Sequence, residues 1–174
     1  MGLVARLGDP DVGQYLLREE GEVVVDEVRH HWVAYSRASL EFVLGLLALT
    51  LVPFAEVDVA WLPLVIGLVL WGRAAWLGLV EHMDRFVITN MRVFRVHGVL
   101  NRKAATMPLA RILDITVIKP LAGRIFGYGH FCFESAAQEQ GLRDIRFVGR
   151  PNDRDQSIQR VVQRAGLRGP KIPN

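Results

Sequence analysis

Histidine side chains are the first candidates for chemistry in this sequence, because imidazole binds metals and moves protons near neutral pH. Neither of the zinc-binding patterns HExxH and CxxC occurs, and no other zinc template fits the histidine spacings. Adjacent His30 and His31 cannot easily turn both rings toward one metal from a regular helix. We therefore expect no metal site. The five histidines are His30, His31, His82, His97 and His130.

Two nucleophile-type side chains and one glycine-rich run also lack the context that catalysis requires. Cys132, the only cysteine, lies between two phenylalanines with no base placed beside it by sequence. Ser135 is not part of a G-x-S-x-G turn. The run from Gly123 to Gly129 lacks the lysine and hydroxyl residue of a phosphate-binding loop, so we interpret it as turn chemistry. The sequence predicts no enzyme, no cofactor and no small-molecule substrate.

Basic residues are the remaining chemical signal, and they are concentrated in the second half. Residues 1–80 carry five basic and ten acidic side chains, whereas residues 81–174 carry sixteen basic and eight acidic ones. A basic domain held at an anionic leaflet gains about 1 kcal/mol per nearby Lys or Arg. Aromatic residues interleaved with these cations are sparse, so we do not expect a nucleic-acid partner. The candidate lipid or partner contacts are Arg92, Arg95, Arg102, Lys103, Arg124 and Tyr128.

Two apolar runs occupy the middle of the chain, at residues 38–55 and 59–80, and each contains one charge. Roughly 20 apolar residues span a bilayer core. A pair of buried core helices is the alternative, but so small a domain cannot cover two helices that are apolar all round. Only residues 56–58 separate the runs, so we predict a transmembrane hairpin over residues 38–80. The first run lacks the features of a signal peptide.

Charges around and inside the hairpin predict its orientation. The connector holds two acids and no cation, while arginines flank the outer ends, so both termini are expected in the cytoplasm. Glu41 and Arg73 each lie sixteen residues from the midpoint near residue 57, and so at nearly the same depth. We predict an ion pair between them, since a lone charge inside a bilayer is costly. Snorkelling to the cytoplasmic interface and contact with a partner subunit are the alternatives.

The remainder of the chain has the pattern of a small β domain closed by a helix. A short helical turn is expected at 121–126, and an amphipathic helix follows Pro151 and ends at Gly166. Residues 22–28 are a candidate extra strand, residues 1–20 a loosely structured start, and residues 138–141 a loop. The six predicted strands are 86–89, 92–97, 104–109, 112–118, 130–135 and 142–148.

Several segments of the sequence resemble the bacterial pleckstrin-homology-like (PH-like) membrane proteins, a family long described as a domain of unknown function. The similarity covers about residues 20–165, including GEVVVDEVRHHW before the apolar runs. The matching pieces occur in order as ITNMRV, GVLNRK, MPLARILDI, GRIFGYG and FESA. The resemblance implies a PH-like barrel with a C-terminal helix at the cytoplasmic face, and it implies no activity.

Together these observations predict an α+β membrane protein, with a two-helix transmembrane hairpin followed by a small PH-like β-barrel or sandwich and a capping helix. We expect a cytoplasmic segment over 1–37 with room for an extra strand and an interfacial helix. The hairpin over 38–80, a PH-like domain over 81–168 and a tail over 169–174 follow. The expected location is the bacterial plasma membrane.

Two functions remain open at this point. The first is a membrane-anchored interaction module that docks a membrane-protein partner or a second copy of itself. The second is a sensor of anionic lipid headgroups at the inner leaflet. Clustering of Arg92, Arg95, Arg102 and Lys103 around one concavity favours the sensor, whereas an exposed sheet edge or apolar patch favours the module.

Overall fold

The computed structural model describes residues 12–135, 142 and 144–164. The chain divides into two compact units. Residues Trp32–His82 form one, which we call the helical unit. The described residues up to His31 and from Met83 onward form the other, which we call the β unit. The predicted loop at 138–141, the helix end at Gly166 and the tail at 169–174 lie outside the described residues.

Two antiparallel helices form the helical unit, in the positions of the two predicted apolar runs. They are α1 (Ser36–Thr50) and α2 (Trp61–His82). A 3₁₀ turn at Trp32–Tyr35 precedes α1, and a second at Val52–Phe54 contains Pro53 and follows it. By length and composition both helical segments are able to cross a membrane. Most of their large apolar side chains are exposed in the isolated chain.

Close backbone contact at two glycines holds α1 against α2. A Cβ atom added to Gly45 would lie 3.1 Å from the carbonyl oxygen of Gly67, and one added to Gly67 would lie 3.0 Å from that of Gly45. The Phe42 and Trp71 rings stack nearby, with centroids 5.3 Å apart. The Trp71 indole N–H donates to the Phe42 carbonyl at 3.2 Å. The helices therefore pack through two glycines, and the Trp71 ring of the stacked pair lies directly against one of them, Gly45.

Among the residues that the structure describes, the β unit contains seven strands in two antiparallel sheets. The first sheet has the order β1-β2-β3-β4 and the second β5-β6-β7. A short helix, α3 (Leu121–Phe126), connects β5 to β6, and α4 (Pro151–Arg164) follows β7. The strands are β1 (Val24–Arg29), β2 (Arg85–Thr89), β3 (Arg92–His97), β4 (Lys103–Pro108), β5 (Ile112–Ile118), β6 (Tyr128–Ser135) and β7 (Asp144–Gly149).

The α+β class is confirmed, whereas no closed barrel forms among the described residues. The predicted strands at 92–97 and 112–118 occur with the predicted bounds, the other four with bounds shifted by one or two residues, and the candidate strand at 22–28 is β1. It pairs with β2, so the first sheet joins chain segments from before and after the helices. The two sheets remain separate apart from one isolated bridge between His30 and Val148. We predicted a barrel or a sandwich, and the described residues form two small sheets.

The main core lies between the two sheets and is covered by α4. Phe86 and Val93 come from the first sheet, and Phe131 and Phe133 from the second. The apolar face of α4 completes the cluster with Ile158, Val161 and Val162. A three-residue and four-residue spacing puts these three side chains on one side of the helix. Burial by α4 stabilises a domain whose sheets alone enclose little apolar volume.

A second, smaller core on the outer face of the first sheet corrects one prediction. Residues 1–20 were expected to be loosely structured, and residues 1–11 lie outside the described part. Residues 12–20 instead form two 3₁₀ turns, at Val12–Tyr15 and Arg18–Glu20. Side chains of the first turn and Leu16 pack against Val87, Phe94 and Val96. The segment contains too few apolar residues to show a helical or strand period. The sequence pattern therefore did not predict these turns.

Candidate functional site

The structure brings Glu41 and Arg73 together across the helical unit. Arg73 Nε donates to Glu41 Oε2 at 3.2 Å and Arg73 Nη2 donates to Oε1 at 3.1 Å, which is a two-point pairing. Arg37 lies one helical turn before Glu41, and its Nε is 3.5 Å from Oε1. One carboxylate on α1 therefore faces two guanidinium groups. Its charge is compensated within the unit.

Arg92, a predicted lipid or partner contact, is instead bound to a buried carboxylate. Its guanidinium makes two hydrogen bonds to Glu22, at 2.8 and 3.0 Å, and donates to the Tyr15 carbonyl at 2.6 Å. The Leu17 N–H and the Thr89 hydroxyl also bind Glu22, at 2.7 and 2.8 Å. Desolvation raises the pKa of Glu22, but the bonds from Arg92, Leu17 and Thr89 outweigh it and hold this pKa below its ordinary value.

Arg95 is also paired, on the opposite face of the sheet. Its guanidinium donates to the two carboxylate oxygens of Asp84, at 2.8 and 2.5 Å. His30 Nε2 lies 3.6 Å from the same carboxylate. Alternate residues of a strand face opposite sides, so Arg92 lies on the side of the small core and Arg95 on the side of the main core. These two arginines cannot line one concavity with Arg102 and Lys103.

Arg102 and Lys103 lie where the chain enters β4. Arg102 is half-buried and is engaged in contacts of its own, while Lys103 is exposed. Lys103 is aligned with His97 across the sheet. Burial lowers the pKa of His97, and the positive charge of Arg95 lowers it further, so this imidazole favours its neutral form. Of the four arginine and lysine residues in the predicted cluster, only Lys103 is an exposed side chain.

The run from Gly123 to Gly129, which contains the predicted contacts Arg124 and Tyr128, forms the end of a capped helix and the start of a strand. Pro120 precedes α3, and Gly127 ends it with a φ of 79°, in the left-handed region that glycine adopts without strain. Arg124 on α3 is exposed, as a contact residue must be. Tyr128 is only 6% exposed and packs against the rings of His31 and Phe147. The assignment of Tyr128 as a surface contact is therefore corrected, because its ring belongs to the interior.

An exposed apolar face on α3 is the feature that sequence reasoning missed. Leu121 and Ile125 are each 78% exposed, and Phe126 is half-exposed. Beside them lies a cleft of about 410 Å³ lined by Lys119, Arg124 and Arg150 together with the first residues of α4. The sequence did contain a signal for this face: apolar residues next to cations, in a segment bounded by Pro120 and Gly127. However, six residues are too few to show from their periodicity whether an apolar helix face is buried in a core or exposed on the surface.

Metal-ligating side chains and the cysteine are the residues to consider for catalytic chemistry. No group of three or more His, Cys, Asp or Glu side chains there could hold a metal ion. Cys132 is half-buried in β6 and stands opposite Asp144 of β7 in the strand register. The expectation that the protein is not an enzyme stays a prediction.

Two small antiparallel sheets and a C-terminal helix packed over their core define a PH-like domain. The family model described as "Bacterial PH domain" matches residues 39–166, and the chain belongs to that family. The resemblance found in the sequence is thus confirmed. The match begins inside α1, so β1 lies outside it although β1 completes the first sheet. Comparisons with curated proteins and with solved structures each gave no match.

Proposed function

We propose that this protein is a non-enzymatic interaction module, which its helical unit anchors in the plasma membrane of a bacterium. In this proposal α1 and α2 cross the bilayer, both termini are cytoplasmic, and the PH-like β unit lies at the cytoplasmic face. The partner is a membrane protein or a second copy of this chain. Each element of the proposal has its own support in the residues described above.

The exposed apolar surface of the helical unit supports anchoring. Side chains such as Leu47 and Val69 are more than half exposed, and an apolar surface of this extent is unfavourable in water. The Glu41–Arg73 pair lowers the cost of placing charge at that depth, because each group neutralises the other. Acids in the connector and arginines beyond the outer ends favour cytoplasmic termini.

Two open strand edges carry the interaction part of the proposal. Among the described residues β4 pairs only with β3, and β5 pairs only with β6. The opposite ends of the two sheets meet at the His30–Val148 bridge, so those edges are partly closed. An unpaired edge presents N–H and C=O groups that another strand can bind. An exposed sheet edge was the feature expected to distinguish a docking module from a headgroup sensor.

The alternative of a headgroup sensor built on Arg92, Arg95, Arg102 and Lys103 has less support. Arg92 and Arg95 are bound to Glu22 and Asp84, and the opposite faces of a sheet separate them. A phosphate group would have to replace both carboxylates to recruit these arginines. Breaking a buried ion pair costs several kcal/mol, which a surface headgroup contact does not recover.

Native mass measurement after gentle detergent extraction tests the proposed function. The full chain is extracted from bacterial membranes, and its mass and co-eluting species are determined. A stoichiometric protein partner or a defined homo-oligomer is the expected result. A monomer carrying only anionic lipid would reject the module in favour of headgroup recognition. Recovery of the chain in the soluble fraction, without detergent, would reject anchoring.

A further inference from the structure

The outer face of α3 is apolar although it lies on the surface of the β unit. Leu121 and Ile125 are four residues apart, so they project from the same side of the helix. Phe126 and the side chain of Ile118, at the end of β5, are also about half exposed. These four exposed apolar side chains lie on α3 or at the strand end just before it, and we call them the α3 ridge (Ile118, Leu121, Ile125 and Phe126).

Glycines and a proline fix the α3 ridge in place. The N–H of Gly127 donates to the carbonyl of Gly123 at 2.9 Å and closes the helix. A Cβ atom at Gly123 would lie 2.3 Å from the carbonyl oxygen of Tyr128, so α3 sits directly against the start of β6. The ridge is thus carried by a capped helical turn that packs against β6, not by an extended loop.

The ridge belongs to the part of the β unit where the chain leaves for the helices. His31, the last residue before the helical unit, donates its N–H to the Phe147 carbonyl at 2.7 Å. Its ring is 5.7 Å from the ring of Tyr128, the residue just beyond α3 and Gly127. The chain returns at Met83, and β2 begins opposite Arg29 at the end of β1.

Cations line a cleft next to the ridge and make this part of the β unit complementary to an acidic surface. Lys119, Arg124 and Arg150 line the adjoining cleft, against one carboxylate from Asp153. The ammonium group of Lys119 binds the Asn152 side chain, which keeps it at the rim. The backbone N–H of Arg150 donates to the Gly127 carbonyl at 3.1 Å, so this arginine is tied to the end of α3. Exposed apolar side chains next to a group of cations suit an interface of acyl chains and anionic headgroups.

We propose that the α3 ridge is a membrane-seating surface, whose apolar side chains enter the bilayer interface while Lys119, Arg124 and Arg150 bind acidic phospholipid headgroups. The inference rests on the proposed anchoring and adds to it a second, independent contact with the same leaflet. Seating fixes the orientation of the β unit and leaves the open edges of β4 and β5 for a partner.

Depth measurement on the reconstituted full chain tests the proposal. Cys132 is changed to Ser, and a nitroxide is attached to cysteine at position 125 (Ile125→Cys). The chain is placed in vesicles of phosphatidylcholine alone or mixed with phosphatidylglycerol. Collision rates with oxygen and with a water-soluble nickel complex report the depth. We expect position 125 to be shielded from nickel and accessible to oxygen, most strongly with phosphatidylglycerol.

Two further label positions separate the possible failures. A label at exposed Met91, in the turn at the far end of β2, is the matched control and is expected to remain in water. A label at Leu47 on α1 reports anchoring itself. If position 47 is in lipid but position 125 is as accessible to nickel as position 91, seating is rejected and anchoring stands. If position 47 is in water, anchoring fails as well. Shielding of position 125 that grows with protein density would assign the ridge to another copy and overturn seating.

Charge reversal tests the role of the cations. Arg124→Glu is compared with Arg160→Glu, an exposed arginine on α4 away from the cleft. We expect Arg124→Glu to lower the ratio of seated to unseated label roughly five-fold or more, because each cation near an anionic surface is worth about that factor. Equal effects of the two variants would remove the headgroup contact from the proposal.

Discussion

The guanidinium of Arg92 and the carboxylate of Glu22 form a two-point ion pair although 70 residues, and both apolar helices, separate them in the chain. The Glu22 side chain is fully buried. Since Glu22 precedes β1 and Arg92 begins β3, the pair links the segment before the helices to the sheet after them. The contact fixes the N-terminal 3₁₀ turns through the Tyr15 carbonyl as well.

Glu22→Gln is expected to destabilise the β unit by about 2 kcal/mol, since it removes charge-assisted hydrogen bonds and keeps the side-chain shape. The folded protein holds the pKa of Glu22 below its ordinary value. The ionised Glu22 side chain therefore contributes its full stabilisation to the folded protein above the ordinary carboxyl pKa of 4.5. This stabilisation is lost as the pH falls from 4.5 through the lower pKa of the folded protein. Thermal unfolding of both proteins in detergent across this range measures the difference. If the difference in unfolding temperature between wild type and Glu22→Gln does not become smaller in acid, the ionised Glu22 carboxylate is not the source of the stabilisation.

Gly67→Ala is expected to destabilise the helical unit by about 1–3 kcal/mol, because the added methyl group meets the Gly45 backbone and the Leu49 side chain. Gly78→Ala on the same helix is the matched control, since nothing lies within 4 Å of its Cβ position. The control should be neutral or slightly stabilising because alanine favours helix. Thermal unfolding in detergent distinguishes them. Similar stabilities for the two variants would show that the helices do not meet at this glycine.

Glu41→Gln and Arg73→Gln are each expected to lower the stability of the helical unit, and the double variant to lower it less than the two losses added together. Each single change leaves one charge of the pair without its main partner. Unfolding of all four proteins in vesicles gives the coupling between the two side chains. Additive losses would indicate that the groups act separately, for example by reaching the interface independently.

Proline substitution at Ala104 and Ala105 is expected to affect assembly and folding differently. Successive N–H groups of a strand point to opposite sides, so one proline removes a bond to β3 and the other removes an outward donor. The variant that keeps its thermal stability should lose the partner or oligomer seen by native mass. If this folded variant assembles normally, the free edge of β4 is not the docking surface.

The sequence was sufficient for elements with a clear period or a defined stop. Hydropathy located both helices, alternation located the strands, and Pro120 with Gly127 bounded α3. Counting from the connector placed Glu41 and Arg73 at one depth, and the structure has them within hydrogen-bonding distance.

Contacts between distant segments could not be read in this way. Nothing local to Arg92 indicates that its partner is Glu22, and a strand pattern does not say which face of the sheet becomes a core. Tyr128 illustrates the same limit, since its burial depends on rings contributed by His31 and Phe147. Sequence reasoning overestimates the free basic surface whenever carboxylates far along the chain neutralise it.

The position of β1 has a consequence for the order of synthesis. This strand leaves the ribosome before α1 and α2, and its partner β2 follows them. The first sheet therefore cannot be completed until the whole helical unit has been translated. Antiparallel packing of α1 against α2 returns the chain toward the side from which it left, which shortens the search for pairing between β1 and β2. Formation of the helical unit is in this sense a folding step of the β unit, and a fragment beginning at Met83 would lack an edge strand of its first sheet.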